Sequence, residues 1–100
     1  MRYGYSEVIR TLPGERDALV EILVNVAGKL GSAGCELYAV SVPDDEPETV
    51  LVNEIWLSKE HHDRCLDLPD VRDAISAGMP LVAELRSQES TVVGGLGVAG

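Results

Sequence analysis

Hydrophobic and polar positions along the chain repeat with two different periods, and these periods predict six elements of secondary structure. Residues 15–30 carry apolar side chains in adjacent pairs three positions apart, which is the spacing of one helix face. Short runs rich in β-branched and aromatic residues are typical of strands. The pattern predicts strands at 3–12, 35–42, 49–57 and 84–93, and helices at 15–30, 58–68 and 69–79, the last two forming one broken helical element. The order β-α-β-β-α-β is that of the α+β ferredoxin-like arrangement.

Turn and capping residues support these boundaries. Pro13-Gly14 ends the first strand, and Gly31 stands where a glycine commonly ends a helix. Ser58 is placed to cap the second helix with its side chain. Residues 94–100 are rich in glycine and carry no charge, so we expect a single domain at 1–93 followed by a tail that is mobile or lies against a partner.

The third strand differs from the others because both of its faces are apolar. In the run TVLVNEIWL, residues 49–57, apolar side chains fall at odd and at even positions. A strand of this kind is normally covered on both sides of the sheet. Short helices can cover only one face of a small sheet, so the second cover is predicted to be another copy of the chain. The pattern therefore predicts a homodimer in which sheet faces sheet.

Composition and charge exclude several classes of protein. The 100 residues include 8 basic and 17 acidic side chains, a net charge of −9. Nucleic-acid surfaces cluster Lys and Arg, so no nucleic-acid partner is expected. No apolar run approaches the ~20 residues of a membrane span, and the N-terminus has no apolar stretch of signal-peptide type. No membrane partner is expected, and the two cysteines are interpreted as free thiols of a cytoplasmic protein.

Three short motifs follow one another along the chain: Pro13-Gly14-Glu15-Arg16, Gly34-Cys35-Glu36-Leu37-Tyr38 and Glu54-Ile55-Trp56-Leu57-Ser58-Lys59-Glu60. In this order, and over about residues 3–85, the chain resembles the antibiotic biosynthesis monooxygenase (ABM) family. The resemblance implies a ferredoxin-like protomer that pairs its sheet with a second protomer's in a dimeric α+β barrel. The family it resembles includes cofactor-independent oxygenases of quinols and phenolic polyketides, haem-degrading enzymes, and members with no known activity. The resemblance therefore implies one of these three groups.

The chain departs from the family's pattern at three positions. Members often carry a histidine nine residues after the motif tryptophan, where this chain has Cys65, and a second histidine after a proline, where it has Asp70. Glu7 stands where the resemblance places the asparagine of the haem-degrading members. Haem degradation is therefore disfavoured, although a cysteine can ligate haem iron. No cofactor and no metal are predicted.

The candidate catalytic residues are Glu7, Asn53, Trp56 and His62. Trp56 would form one side of a pocket for an aromatic substrate. Glu7 or His62 would take a proton, because burial raises a carboxyl pKa and histidine titrates near neutral pH. Asn53, or Glu54 on the opposite face of the same strand, would anchor a substrate oxygen.

The candidate pocket residues are Tyr5, Tyr38, Glu54 and Cys65. The tyrosines could present hydroxyls to a phenol, and Glu54 could polarise or deprotonate it. Structural interpretations stay open beside these: Trp56 as core, Glu54 in an ion pair at the dimer interface, and Cys65 as a small buried hydrophobe. A metal site of His61 or His62 with Cys65 is disfavoured because no second ligand cluster is evident.

The leading functional prediction is a cofactor-independent monooxygenase that oxidises a small aromatic, quinol-like or polyketide-derived molecule with O2. The alternative is a non-catalytic dimeric barrel that binds a small ligand or serves as an assembly module. An enclosed cavity that touches Trp56 and a buried carboxylate favours the first prediction, and a filled core favours the second.

Overall fold

The chain folds into one four-stranded antiparallel sheet with helices packed on one of its faces. The computed structural model describes residues 1–98 and Gly100. The strands and helices are β1 (Tyr3–Thr11), α1 (Arg16–Ala27), β2 (Cys35–Ser41), β3 (Thr49–Trp56), α2 (Lys59–Cys65), α3 (Pro69–Gly78) and β4 (Val82–Thr91), with 3-10 turns at Gly31–Ala33 and Met79–Leu81. The predicted order of elements and the α+β ferredoxin-like class are confirmed.

The sheet has the strand order β2-β3-β1-β4, so β3 and β1 are its central strands. Tyr5 on β1 and Tyr38 on β2 both pair with Glu54 on β3. On the other side of β1, Glu89 of β4 pairs with Tyr5. Residues directly opposite each other point to the same face of a sheet. These four side chains therefore form one row across the sheet, with Glu54 between the two tyrosines.

The two faces of the sheet differ in what covers them. On the inner face, which carries Trp56, side chains pack against α1, α2 and α3, and Trp56 and Val50 have no exposed surface. The outer face carries Val8 and Leu37, which are 41% and 40% exposed in the single chain. The helices thus cover one of the two apolar faces of β3. The second copy of the chain on the outer face stays a prediction.

The first helix ends earlier than its apolar pattern indicates. Regular helix stops at Ala27, and the amides of Lys29 and Leu30 bond to carbonyls three residues back. Leu30 is buried, and its apolar side chain continues the helical spacing, so the predicted helix was about one turn too long. The prediction for Gly31 as the helix-ending glycine is also wrong in detail: Gly31 begins a 3-10 turn, and Gly34 has the left-handed φ of +100°.

The remaining boundaries move by small amounts. Ser58 caps α2 as predicted, accepting a hydrogen bond of 3.2 Å from the backbone amide of His61. Strand β4 begins at Val82 and ends at Thr91, two residues earlier at each end than predicted. Its ladder with β1 ends at Thr91 because the partner there, Tyr3, is the first residue of β1.

The segment after β4 is described only in part. A short bridge joins Gly95 to Val98, and Ala99 lies outside the described residues. The division into a domain at 1–93 and a tail at 94–100 stays a prediction.

Candidate functional site

A cavity of about 410 Å³ lies between the inner face of the sheet and the helices. Most of the residues that line it are apolar, and they come from both the sheet and the helices. Four of these apolar residues, Leu66, Ile75, Met79 and Leu85, are also at least 40% exposed. A residue that lines a cavity and is also exposed lies at its rim, so the cavity opens near α3 and β4. The space is large enough for a small aromatic molecule.

Seven of the eight candidate residues from the sequence line this cavity: Tyr5, Glu7, Tyr38, Glu54, Trp56, His62 and Cys65. They come from β1, β2, β3 and α2, so the fold brings together residues that are up to 60 positions apart, Tyr5 to Cys65. Asn53 does not join them. It is exposed on the outer face, where it pairs with Ser6 and Ala39.

Glu54 and Trp56 form the buried polar centre of the site. Trp56 Nε1 donates a hydrogen bond of 2.8 Å to Glu54 Oε1, and Glu54 is only 7% exposed. Burial raises the pKa of Glu54 to about 7, because the charged form loses its hydration; the bond from Trp56 acts in the opposite direction. Near neutral pH this carboxyl can therefore either accept or release a proton.

A second carboxyl, that of Glu7, lies on the same cavity wall. Burial raises its pKa above the ordinary range, and its charge contributes to raising the pKa of Glu54. Glu7 has no hydrogen-bond partner among the described residues, so both of its oxygens are available to a molecule in the cavity. The two carboxyls lie in neighbouring rows of the inner face, two residues apart along the strands, since Glu7 pairs with Val52 and Glu54 pairs with Tyr5.

His62 forms part of the cavity wall and is 8% exposed. Its ring is enclosed by three aromatic rings, whose centroids lie 4.6 Å (Tyr5), 5.2 Å (Tyr3) and 5.5 Å (Trp56) away. Its Nδ1 lies 3.1 Å from Asp63 Oδ1. The other ring nitrogen, Nε2, has no hydrogen-bond partner within the described part of the chain.

The remaining polar groups on the wall are neutral at physiological pH. Burial raises the pKa of the Tyr5 and Tyr38 hydroxyls and raises that of the Cys65 thiol to about 11. A thiol in this state is a poor nucleophile and a poor haem ligand. Cys35, which packs against the buried residues around Trp56 and Cys65, also has a pKa raised to about 11 by burial.

The charged groups on the cavity wall are acidic. Glu7 and Glu54 line the cavity, and none of its described lining residues is Lys or Arg. The site therefore offers no cation for a carboxylate, a phosphate or the propionates of haem, and the residues present do not fit haem. Within the described residues, no group of three His, Cys, Asp or Glu side chains is arranged to hold a metal ion.

Sequence reasoning missed the residues that support His62 from outside the cavity. Asp63 bonds to its ring, and Lys59 bonds to Asp63 and to Glu89. The adjacency of His62 and Asp63, and the four-residue spacing of Lys59 and Asp63 on one helix, are visible in the sequence. The contact to Glu89 joins residues 30 positions apart and has no local signal.

The fold and the site together define a class: a ferredoxin-like α+β protein with an apolar, acid-bearing cavity between its sheet and its helices. The family model for antibiotic biosynthesis monooxygenases (ABM) matches residues 7–77. The chain belongs to this family.

Solved structures support the assignment. A protein from Chloroflexus aurantiacus J-10-fl, provisionally named an antibiotic biosynthesis monooxygenase, is 40% identical over 99% of this chain and 100% of its own, with a TM-score of 0.91. Two more distant proteins with the same provisional name show the same fold. The one from Caulobacter crescentus CB15 is 17% identical over 93% of this chain and 91% of its own (TM-score 0.85), and the one from Nitrosomonas europaea is 13% identical over 99% and 94% (TM-score 0.86). No curated protein matches the chain.

None of the helices in the described residues is both long and apolar enough to cross a membrane.

Proposed function

We propose that this ABM protein is a cofactor-independent monooxygenase that oxidises a small aromatic, quinol-like or polyketide-derived molecule with O2. The observation that carries the proposal is the buried carboxyl of Glu54, with its pKa raised to about 7, next to Trp56 in an apolar cavity of about 410 Å³. An acid that can change its charge near neutral pH is useful for proton transfer and unfavourable for stability.

The chemistry needs no bound metal or organic cofactor because the substrate supplies the electrons. A base takes a proton from a phenol, or from the enol form of an anthrone, and leaves an electron-rich anion. The anion passes one electron to O2, and the substrate radical then combines with superoxide to form the new C–O bond. Protonation gives a hydroperoxide, and loss of water leaves the carbonyl. The balance is R2CH2 + O2 → R2C=O + H2O, with four electrons moved from carbon to oxygen.

The residues on the wall divide this work. Trp56 and the two tyrosines beside Glu54 supply flat surfaces for an aromatic ring. Glu54, Glu7 or His62 receives the phenolic proton, and the apolar wall keeps water away from the anion. The places of Glu7 and His62 on the cavity wall support their proposed roles as base.

The charge of the wall indicates which substrates enter. An anionic ligand would meet Glu7 and Glu54, and none of the lining residues that the structure describes is a Lys or Arg that could offset them. We therefore expect the substrate to be uncharged on entry and to become an anion only when its proton has moved to a carboxylate or to His62, which keeps the total charge of the cavity constant.

We also propose that the outer face is covered by a second copy of the chain. Val8 and Leu37 expose apolar surface there, and a sheet with two apolar faces is normally covered on both. Sedimentation equilibrium of the wild type should show a dimer, and Val8→Lys should shift it towards monomer. Val24→Lys, at an exposed position of α1, is the control and should leave the dimer intact. A wild type that sediments as a folded monomer contradicts the homodimer.

Oxygen uptake with a panel of anthrones and hydroquinones tests the function. The wild type should consume O2 faster than buffer autoxidation. Glu54→Gln should lower kcat, because the carboxamide keeps the size of the side chain but cannot accept a proton. Glu21→Gln, which removes an exposed acid on α1, should leave the rate unchanged.

Quenching of Trp56 emission by the same panel separates the two functional alternatives. Binding of a panel member without any acceleration of its oxidation contradicts the monooxygenase and favours a non-catalytic, ligand-binding barrel. Equal rates in the wild type and in Glu54→Gln would show that Glu54 does not carry the chemistry.

A further inference from the structure

A connected set of polar side chains leads from the cavity to the protein surface. His62 Nδ1 lies 3.1 Å from Asp63 Oδ1, and Lys59 Nζ lies 3.4 Å from Asp63 Oδ2. Lys59 Nζ also donates a bond of 2.9 Å to Glu89 Oε1, which accepts a bond of 2.7 Å from the Tyr3 hydroxyl. This polar chain, His62-Asp63-Lys59-Glu89-Tyr3, connects α2 with β1 and β4.

The protonation of Asp63 decides which nitrogen of His62 carries hydrogen. The hydrogen bond from His62, followed by that from Lys59, lowers the pKa of Asp63, so this exposed carboxyl is ionised near neutral pH. An ionised carboxylate can only accept hydrogen bonds. His62 Nδ1 must therefore donate, and in the neutral imidazole the lone pair belongs to Nε2.

The rest of the polar chain holds Asp63 in place. Lys59 Nζ bonds to carboxylates of both α2 and β4, and it lies 5.4 Å from the centre of the Tyr3 ring. Exposed ion pairs contribute little to stability when they occur singly. Here Lys59 is shared by two carboxylates, and Asp63 is held by two partners, His62 and Lys59.

We propose that Asp63 is a positioning residue that holds neutral His62 in the Nδ1–H form and so leaves Nε2 as a proton acceptor towards the cavity. His62 is enclosed by the rings of Tyr3, Tyr5 and Trp56, which keep it on the cavity wall. That Nε2 receives its proton from a phenolic substrate rests on the proposed function. The tautomer of the His62 ring is independent of the proposed function.

The form of the imidazole is measured directly by two-bond ¹H–¹⁵N NMR correlation at about pH 9, where an ordinary imidazole is neutral. The chain has only two histidines, so His62→Gln assigns the two rings. Wild-type His62 should show the Nδ1–H pattern. Asp63→Ala should move it towards Nε2–H, and because Asp63 is exposed we expect this variant to fold. Asp67→Ala removes a nearby exposed acid and should leave the pattern unchanged.

The spectrum overturns the proposal if wild-type His62 is in the Nε2–H form, or if Asp63→Ala leaves the pattern as it was. In the oxygen-uptake assay Asp63→Ala should lower kcat by about tenfold and change KM little, because Asp63 acts through His62. An unchanged kcat in a variant with the altered ring would overturn the catalytic part. If the spectra are as expected and no substrate is oxidised, the proposed function fails while the positioning of His62 stands.

Discussion

The inner face of the sheet carries two buried clusters. Both include residues of β1 and β3, but one is purely aliphatic and the other contains aromatic side chains. The aliphatic cluster contains Ile9, Leu19, Val50 and Val52. The aromatic cluster contains Tyr3, Val26, Leu30, Trp56, Cys65 and Val71. Along β3, the change from one to the other takes place between Val52 and Glu54. The side chains of the first cluster have no polar atom to satisfy, whereas the second adjoins a carboxyl and a histidine that need partners.

The difference separates the part of the core that stabilises the fold from the part at which chemistry is proposed. Burying aliphatic side chains stabilises the fold by about 1.5–3 kcal/mol each. Burying Glu54 acts in the opposite direction, which is why its pKa is raised to about 7. A group that lowers stability and lies in a cavity is a candidate for function. The stabilisation that the aliphatic cluster supplies therefore offsets the cost of burying Glu54 at the other end of the sheet, where the chemistry is proposed.

The most disruptive test moves the acid along the same face of β3. Val50→Glu places a carboxyl in the aliphatic cluster, where Val50 has no exposed surface and does not line the cavity. We expect a loss of about 4 kcal/mol or more in the free energy of unfolding, measured by urea denaturation. Val24→Glu on the exposed face of α1 is the control and should change it by less than about 0.5 kcal/mol. A stable Val50→Glu variant would contradict the division of the core.

Glu54 gives the next largest effect, and its sign depends on pH. Its pKa is about 7 in the folded chain and near 4.5 when exposed, so between these values the folded state binds more protons. Stability from this group is therefore present below pH 4.5 and is lost as pH rises through 7. Glu54→Gln removes this loss and keeps an acceptor for Trp56. Relative to the wild type it should gain about 2–3 kcal/mol between pH 5 and pH 8.

Urea denaturation at the two pH values measures this gain. The matched variant Glu21→Gln, an exposed acid on α1, should follow the wild type. A wild type and a Glu54→Gln variant whose stabilities change in parallel with pH would mean that Glu54 is already ionised at pH 5.

These two clusters also explain what the sequence could and could not predict. Alternation along β3 was enough to place Glu54 and Trp56 on one face and Asn53 on the other. It could not decide which face borders the cavity, because both faces of β3 are apolar; that is settled by α1 and α3, which pack on the face of Trp56. Asn53 consequently lies away from the other candidate residues.

Local patterns also limited the prediction of the elements and of the site. Leu30 continued the helical spacing although the backbone had already tightened into a turn, so the predicted end of α1 was late. Asp63, Lys59 and Glu89 act through contacts between α2 and β4, and a contact of this kind depends on the register of β4 against β1. Neither the register nor the contact is contained in the spacing of any one element.

The smallest predicted effect concerns a polar atom near the aliphatic cluster, at the end of β1. Thr11 has no exposed surface, and its Oγ1 has no hydrogen-bond partner in the part of the chain that the structure describes. Thr11→Val keeps the shape of the side chain and removes the hydroxyl, so we expect a gain of about 1 kcal/mol in the free energy of unfolding. Thr91→Val, at the exposed end of β4, should give no gain. A loss at Thr11 would mean that its hydroxyl is hydrogen-bonded in solution, and the aliphatic end of the core would then contain a polar contact of its own.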